Sequence, residues 1–251
     1  MKRKVYSIAV LIFICIFLSI FINYRDSATF FRINRKIPIY SVATNEKKVA
    51  ITFDTSWGKD YTPEILDILQ KYNVKATFFI IGKWANEFQN EVKQIGLKGH
   101  EIGNHSYVHP DMTTLSSDKI NDEINTTDKK IFEITGQTTK IFRCPSGTYN
   151  DLVIKTVEQT KKYAVQWNVD SIDWKEEGAE IEYQRVIKKT KTGSIILLHN
   201  NAKYTPQNLS RIIEKLQKDG YKFVTVSELI YKDNYYLNNE GKQILNKPIA
   251  N

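Results

Sequence analysis

The chain of 251 residues contains 41% hydrophobic and 25% charged residues, with 11 glycines and 6 prolines, which is close to the average of globular proteins. This composition excludes a collagen-like, low-complexity or wholly disordered chain, and the length allows one large domain or two small ones. The two cysteines, Cys15 and Cys144, are too few for a disulfide scaffold and form no Cys-x-x-Cys pair, which excludes a zinc finger and a redox dithiol.

The net charge of +8 is concentrated at the N-terminus. Residues 1–48 contain nine basic and two acidic side chains, so that residues 49–251 carry a net charge of only +1. Nucleic-acid-binding domains present a basic face to the phosphate backbone. The sequence therefore predicts that no nucleic acid is a partner.

An apolar segment follows the basic start of the chain. Residues 5–22 carry no charge, and as a helix they would extend about 27 Å, near the thickness of the hydrocarbon core of a bilayer. Because no small-x-small cleavage site follows them, we interpret residues 1–22 as an uncleaved signal anchor. A cleaved signal sequence is the alternative. Basic residues on both sides leave the orientation open under the positive-inside rule, but a signal-like segment before a soluble, almost cysteine-free domain favours export.

Residues 23–48, which are basic and contain Pro38, are predicted to form a linker. After them, β-rich runs alternate with helical patterns. The predicted strands are 49–53, 76–81, 101–103, 140–142, 164–169, 194–198 and 222–224, and the predicted helices are 63–72, 84–97, 116–134, 152–160, 181–191 and 206–218. This alternation predicts an α/β fold with a mostly parallel sheet. It favours a single (β/α) barrel, complete or incomplete, that spans residues 49–232, rather than two domains. The polar, Asn-rich residues 233–251 are predicted to be a peripheral tail.

Residues capable of catalysis follow the predicted strands. In a barrel, catalytic groups gather where the strands end, at the carboxyl-terminal face. The residues at these positions are Asp54, His105, His109, Arg143, Asp170, Asp173 and His199.

His105 and His109 are spaced so that both imidazoles can bind one divalent metal. Pro110 disfavours the α conformation at His109, which predicts a turn there. The spacing alone is nonspecific, and two unrelated surface histidines are the alternative. Asp54 and Asp170 could likewise be caps of helices or turns.

Five motifs in order give a more specific signal. They are Thr52-Phe53-Asp54, His105-Ser106-x-x-His109, Arg143-x-Pro145-x-Gly147, Asp170-x-x-Asp173-Trp174 and Leu197-Leu198-His199. Together they resemble the polysaccharide deacetylase family, the carbohydrate esterases that share the chitooligosaccharide deacetylase homology domain. Residues 52–58 are most similar to its sporulation-associated branch in Gram-positive bacteria. The resemblance implies a deformed (β/α) barrel and metal-dependent removal of N-acetyl groups from peptidoglycan or chitin-like sugars.

The resemblance also implies roles for the polar residues. His105 and His109 would hold a divalent metal such as zinc, which activates a water molecule. Asp54 would be the general base, oriented by Arg143. His199 would be the general acid that protonates the leaving amine.

The remaining expected roles concern the acid and the substrate. Asp170 would hold the ring of His199 and favour its charged form. Trp174 and Leu197 would form the wall of the pocket for the acetyl methyl group. A backbone N–H near Ser146 would help to stabilise the oxyanion.

Thr55 departs from the family pattern. An aspartate usually follows the base and serves as the third metal ligand, and a neutral hydroxyl is a much poorer ligand. We therefore expect weaker metal binding unless another group, such as Asp60 or Asp111, replaces it. Ser146 also stands where an aromatic residue is common.

The sequence thus predicts a monomeric glycan N-deacetylase, anchored in the membrane by one helix, with its catalytic domain outside the cell or at the spore envelope. The alternative is a weakly active or inactive homologue that binds glycan, which Thr55 favours. An unrelated metal-free barrel enzyme would require all five motifs to be coincidental.

Overall fold

The computed structural model describes residues 35–57 and 61–246, and the chain from Lys36 onward forms one unit. The predicted anchor, residues 1–22, lies outside the described residues, as do residues 23–34 of the predicted linker. Within the described ranges, no helix has the length and apolar character needed to cross a bilayer. The membrane anchor therefore stays a prediction.

The described residues form short strands and longer helices in alternation. The strands are β1 (Ser41–Val42), β2 (Lys48–Thr55), β3 (Thr77–Ile80), β4 (Glu101–Asn104), β5 (Ile141–Phe142), β6 (Tyr163–Ala164), β7 (Val169–Asp170), β8 (Ile195–His199), β9 (Lys222–Phe223), β10 (Tyr235–Leu237) and β11 (Lys242–Leu245). The α-helices are α1 (Thr62–Lys71), α2 (Gly82–Glu87), α3 (Gln89–Leu97), α4 (Ser117–Thr135), α5 (Asp151–Gln159), α6 (Ala179–Lys189), α7 (Thr205–Lys218) and α8 (Val226–Leu229). Short 3-10 helices span Met112–Thr114, Pro145–Gly147 and Asp173–Lys175.

A curled sheet of parallel strands forms the centre of the fold. Its strand order is β6-β5-β4-β3-β2-β8-β7, and β9 pairs with the first residues of β2. Every pairing along this path is parallel. This topology confirms the predicted α/β class, and the curled, open sheet fits a deformed barrel.

Burial on both faces explains why the central strands are almost continuously apolar. In β2 every residue from Val49 to Thr55 is buried, as is typical of a parallel sheet covered by helices. Helix α7 packs Leu209, Ile212, Ile213 and Leu216 into the same core. Each such side chain contributes about 1.5–3 kcal/mol on burial, so the sheet and its helices are held mainly by this core.

Two predicted elements are divided in the structure. The predicted helix 84–97 is interrupted at Phe88, whose backbone leaves the helical region (φ −113°, ψ 52°) while its ring stacks on Trp84 with centroids 5.2 Å apart. The predicted strand 164–169 contributes to β6 and β7, which lie at opposite ends of the strand order. Its middle residues cross between these ends, so that Val165 forms a parallel bridge with Ile39.

The boundaries predicted for the linker and the tail also differ from the structure. Strands β1, β11 and β10 form a second, three-stranded sheet in that order. Ile39 and Val42 are buried, and Gly193 allows the chain to pass close to Val42, since a Cβ there would lie 1.8 Å from the carbonyl oxygen of Val42. Residues 36–48 and 233–246 are therefore part of the folded unit. The pattern of each segment alone does not indicate this, because the burial arises from pairing between distant segments.

Candidate active site

Asp54 and Arg143 form a buried ion pair at the carboxyl ends of the strands. Arg143 Nη1 donates to Asp54 Oδ1 at 2.7 Å, and the exposed fraction is 5% for Asp54 and 0% for Arg143. Burial by itself raises the pKa of Asp54, but the charges of Arg143, His105 and His199 outweigh it and hold this pKa below its ordinary value. Asp54 is therefore an ionised carboxylate that can accept a proton.

His105 and His109 lie beside this ion pair, with ring centroids 4.9 Å apart. His105 Nδ1 lies 2.8 Å from the carbonyl oxygen of Arg143. Because a carbonyl oxygen only accepts, Nδ1 carries the proton and Nε2 keeps its lone pair. Burial lowers the pKa of His105 to about 4 and also lowers the pKa of His109. Both rings are therefore neutral at pH 7, the form in which imidazole binds a metal.

The backbone after β4 brings the two imidazoles together. Ser106 and His109 both have positive φ angles, 67° and 60°, and the hydroxyl of Ser106 accepts a hydrogen bond from the N–H of His109 at 3.1 Å. The turn expected from Pro110 is present. It leaves His105 Nε2 facing Asp54 Oδ2 at 3.5 Å, and two acceptors facing each other fit a cation bound nearby.

A third protein ligand is absent from the described part of the chain. Thr55 is fully buried and its hydroxyl donates to the carbonyl oxygen of Phe79 at 3.0 Å. Asp111 accepts hydrogen bonds from the N–H and the hydroxyl of Thr113, and Asp60 lies outside the described residues. Among residues 35–57 and 61–246, no three His, Cys, Asp or Glu side chains group as a possible metal site. The two histidines fit two positions of a metal and no more.

His199 lies on β8, the strand next to β2. Its pKa is shifted in the opposite direction to the pKa values of His105 and His109. Its Nδ1 lies 2.7 Å from Asp173 Oδ1, while Asp173 Oδ2 accepts from the backbone N–H of His199 at 2.8 Å and from the hydroxyl of Thr205 at 2.6 Å. Burial lowers the pKa of His199, but Asp173, and behind it Asp54 and Asp170, outweigh the burial and raise it above its ordinary value. His199 therefore favours the imidazolium form.

The expected pairing of Asp170 with His199 is wrong. In the sheet Asp170 pairs with Leu197, which is two residues before His199 and so roughly 6.6 Å away along the strand. The carboxylate of Asp170 instead accepts from Trp167 Nε1 at 3.2 Å and from the backbone N–H two residues later at 2.8 Å. Asp173, further along the chain, reaches the ring.

Comparisons with known proteins identify the family of this chain. The family model for polysaccharide deacetylases matches residues 41–165. A peptidoglycan-N-acetylglucosamine deacetylase of Bacillus cereus is 40% identical over 196 residues, which are 76% of this chain and 92% of that protein.

The chain belongs to the polysaccharide deacetylase family.

Relatives within this family differ in activity. PdaA of Bacillus subtilis, a peptidoglycan-N-acetylmuramic acid deacetylase, is 34% identical over 193 residues, which cover 75% of this chain and 73% of PdaA. The structure of a CE4 family pseudoenzyme from Bacillus anthracis aligns with a TM-score of 0.74 at 41% identity, over 77% of this chain and 68% of that one. A mutant of that pseudoenzyme with restored enzymatic activity aligns equally well, at 42% identity over 77% of this chain and 71% of the other.

The three residues expected to contact substrate in this deacetylase homologue lie in different environments. Trp174 is 61% exposed on the 3-10 turn after β7, whereas Leu197 is only 2% exposed in β8. Ser146 is exposed in the turn Pro145–Gly147 and has a left-handed backbone, with φ 52°. Their roles in substrate binding stay predictions.

Several residues that hold the site were not identified from the sequence. Thr52 Oγ1 and the carbonyl oxygen of Gln166 accept from Arg143 at 2.9 and 3.2 Å, and Thr205 donates to Asp173. Thr52 could have been identified, because it lies two residues before the base and so on the same face of β2. Gln166 acts through its backbone, which leaves no signal in a side-chain pattern.

Proposed function

We propose that this chain hydrolyses N-acetyl groups of an envelope glycan, either peptidoglycan or a related N-acetylglucosamine polymer. The observation that carries the proposal is a base and an acid side by side: Asp54 and His199 are register partners on β2 and β8. The pKa of Asp54 is lowered, which favours its carboxylate form, and the pKa of His199 is raised, which favours its imidazolium form. Two groups whose environments push their proton affinities apart are what acid–base catalysis requires.

In this proposal Asp54 accepts the proton of the attacking water. Arg143 keeps the carboxylate oriented and charged through the 2.7 Å hydrogen bond. His199 donates its proton to the sugar nitrogen as the amide bond breaks, and Asp173 holds its ring and stabilises its charge. The environment of each group thus favours the protonation state that its step needs.

His105 and His109 would hold a divalent metal such as zinc through their unprotonated nitrogens. When bound, such a metal polarises the acetyl carbonyl and lowers the pKa of water. Trp174 and Leu197 would form the wall of the acetyl pocket, and the backbone N–H near Ser146 would donate to the oxyanion.

We further propose that the chain acts as a monomer outside the cytoplasmic membrane, anchored by residues 1–22 as a single-pass protein. The support is the uncharged segment 5–22 and the location of envelope glycan outside that membrane. Protease added to intact protoplasts should digest the catalytic domain, and complete protection would contradict this topology.

A second candidate is a glycan-binding protein with little or no catalytic activity. It is favoured by one observation, the commitment of the Thr55 hydroxyl to the carbonyl of Phe79, where the family usually has an aspartate ligand. Two protein ligands alone hold a divalent metal less firmly than three.

One experiment decides between the two candidates. The metal content of the full-length chain is measured together with acetate release from peptidoglycan and from chitin oligomers, and an Asp54→Asn variant is the control. Metal-dependent acetate release that the variant loses would support the hydrolase. Binding of glycan without acetate release, at saturating zinc, would support the second candidate.

A further inference from the structure

Glu182 is a buried carboxyl group that the proposed mechanism does not use. It lies on α6 and only 3% of it is exposed. Its Oε2 accepts from Asn208 Nδ2 at 3.1 Å, but its Oε1 has no hydrogen-bond partner in the described part of the chain. Burying a carboxyl group with an unpartnered oxygen costs free energy, and such groups are often retained because they have a functional role.

The first turn of α7 connects Glu182 to the partner of the proposed acid. Thr205 donates to Asp173 Oδ2 at 2.6 Å, and Asn208 donates to Glu182 Oε2. Thr205 and Asn208 are three residues apart, so they share one face of the helix, and each is only 1% exposed. Two carboxyl groups are therefore held at the N-terminal end of α7, where the helix dipole favours negative charge.

The arginine side chains near Glu182 form hydrogen bonds with other groups. Arg211 on α7 donates to Asn208 Oδ1 at 3.4 Å and to Glu180 at 2.6 Å, and its guanidinium lies over the ring of Tyr183. Arg185, on the same helix as Glu182, donates to the carbonyl oxygen of Asp170. No lysine or arginine within residues 35–57 and 61–246 forms an ion pair with Glu182.

The charged groups that act on Glu182 are therefore mainly acidic. Burial and then the charge of Asp173 raise the pKa of Glu182 to about 7. The hydrogen bond from Asn208 opposes them with a smaller effect, and the charge of Glu176 adds the weakest upward effect. The proton affinity of Glu182 thus depends on the charge of Asp173, the hydrogen-bond partner of His199.

We infer that Glu182 is a positioning residue for His199: its carboxyl group supplies a second buried negative charge behind Asp173 and strengthens the hold of His199 on its proton. This inference rests on the acid role proposed for His199. Ionised Glu182 stabilises the imidazolium, and protonated Glu182 lets the proton leave more readily. Since each group alters the other, the two titrate as a coupled pair.

The test follows the titration of His199 by NMR in the full-length chain, with labelled histidine and a chelator present. Glu182→Gln keeps the shape and the acceptor for Asn208 but removes the charge. We expect the midpoint of His199 to fall by roughly half a pH unit or more in this variant. Glu180→Gln, on the same helix but exposed and paired with Arg211, is the matched control and should leave the midpoint unchanged.

An unchanged His199 midpoint in Glu182→Gln would overturn the inference. If that variant does not fold, the carboxyl carbon of Glu182 in the wild-type chain provides a second measurement. Its titration near pH 7, with an inflection shared by His199, would support the inference, whereas one transition at the ordinary pKa of glutamate would overturn it. Acetate release is measured in parallel. If the His199 midpoint falls in Glu182→Gln but the wild-type chain releases no acetate, the proposed activity is removed and the inference stands.

Discussion

The two histidine-bearing sides of the site differ in proton affinity although the residue type is the same. On the β4 side, burial lowers the pKa of His105 to about 4, and the ring hydrogen-bonds to an uncharged carbonyl. On the β8 side, His199 bonds to the carboxylate of Asp173 and its pKa is raised. Asp54 lies between them and is a neighbour of both.

This difference teaches that partners, rather than the histidines themselves, divide the work of the site. Burial lowers the pKa of His105 more than the nearby carboxylate of Asp54 raises it, so this ring keeps a lone pair that can bind a metal. A ring next to a buried carboxylate keeps a proton that can be donated. The predictions below test whether the two sides are as different as the structure indicates.

The largest effect is expected from Asp173→Asn, which removes the carboxylate behind His199. We expect acetate release to fall by about 10²- to 10⁴-fold, because general acid catalysis contributes that much, and the pKa of His199 to fall with it. Asp170→Asn is the control and should have a much smaller effect on both. A greater loss in Asp170→Asn than in Asp173→Asn would return the role to Asp170.

Arg143→Met should have the next largest effect, on stability. It leaves the buried carboxylate of Asp54 without its partner, which typically costs about 3–5 kcal/mol of unfolding free energy. Urea denaturation measures the loss, and the double variant Asp54→Asn/Arg143→Met should recover part of it. Equal losses in the single and double variants would show that the Asp54 charge is not the cause.

The stability of the metal-free chain should depend on pH with opposite signs on the two sides. The native His105 binds a proton only near pH 4, whereas the unfolded chain binds one near 6.5. Its contribution is therefore present above pH 6.5 and falls by up to about 3 kcal/mol as the pH drops to 4. The raised pKa of His199 gives stability that is complete below pH 6.5 and is lost as the pH rises through the folded value.

Unfolding free energies between pH 4 and 8, with chelator present, measure both contributions. His105→Gln should flatten the acid side of the profile and His199→Gln the alkaline side. The same change of profile in both variants would contradict the distinction between the two sides.

Much of the fold could be predicted because apolar runs of strand length mark a parallel sheet, and the polar residues after them gather at one edge. The pairing of His199 could not, because the choice between Asp170 and Asp173 depends on the register between β7 and β8. The short sheet of β1, β10 and β11 was missed because strands of only two to four residues are too short to show a periodic pattern. The hydrogen bond of Thr55 depends on its orientation toward β3, which the residue type does not determine.

The smallest expected effect concerns the metal, and it tests the central claim that the His105–His109 side lacks a third protein ligand. Titration calorimetry with zinc compares the wild-type chain, Thr55→Asp and the control Thr55→Val, which removes the hydroxyl without adding a ligand. We expect Thr55→Asp to bind zinc at least about tenfold more tightly and to release acetate faster, while Thr55→Val binds no better than wild type. Zinc affinity unchanged by Thr55→Asp would contradict this account, because some other group would then already fill the third position.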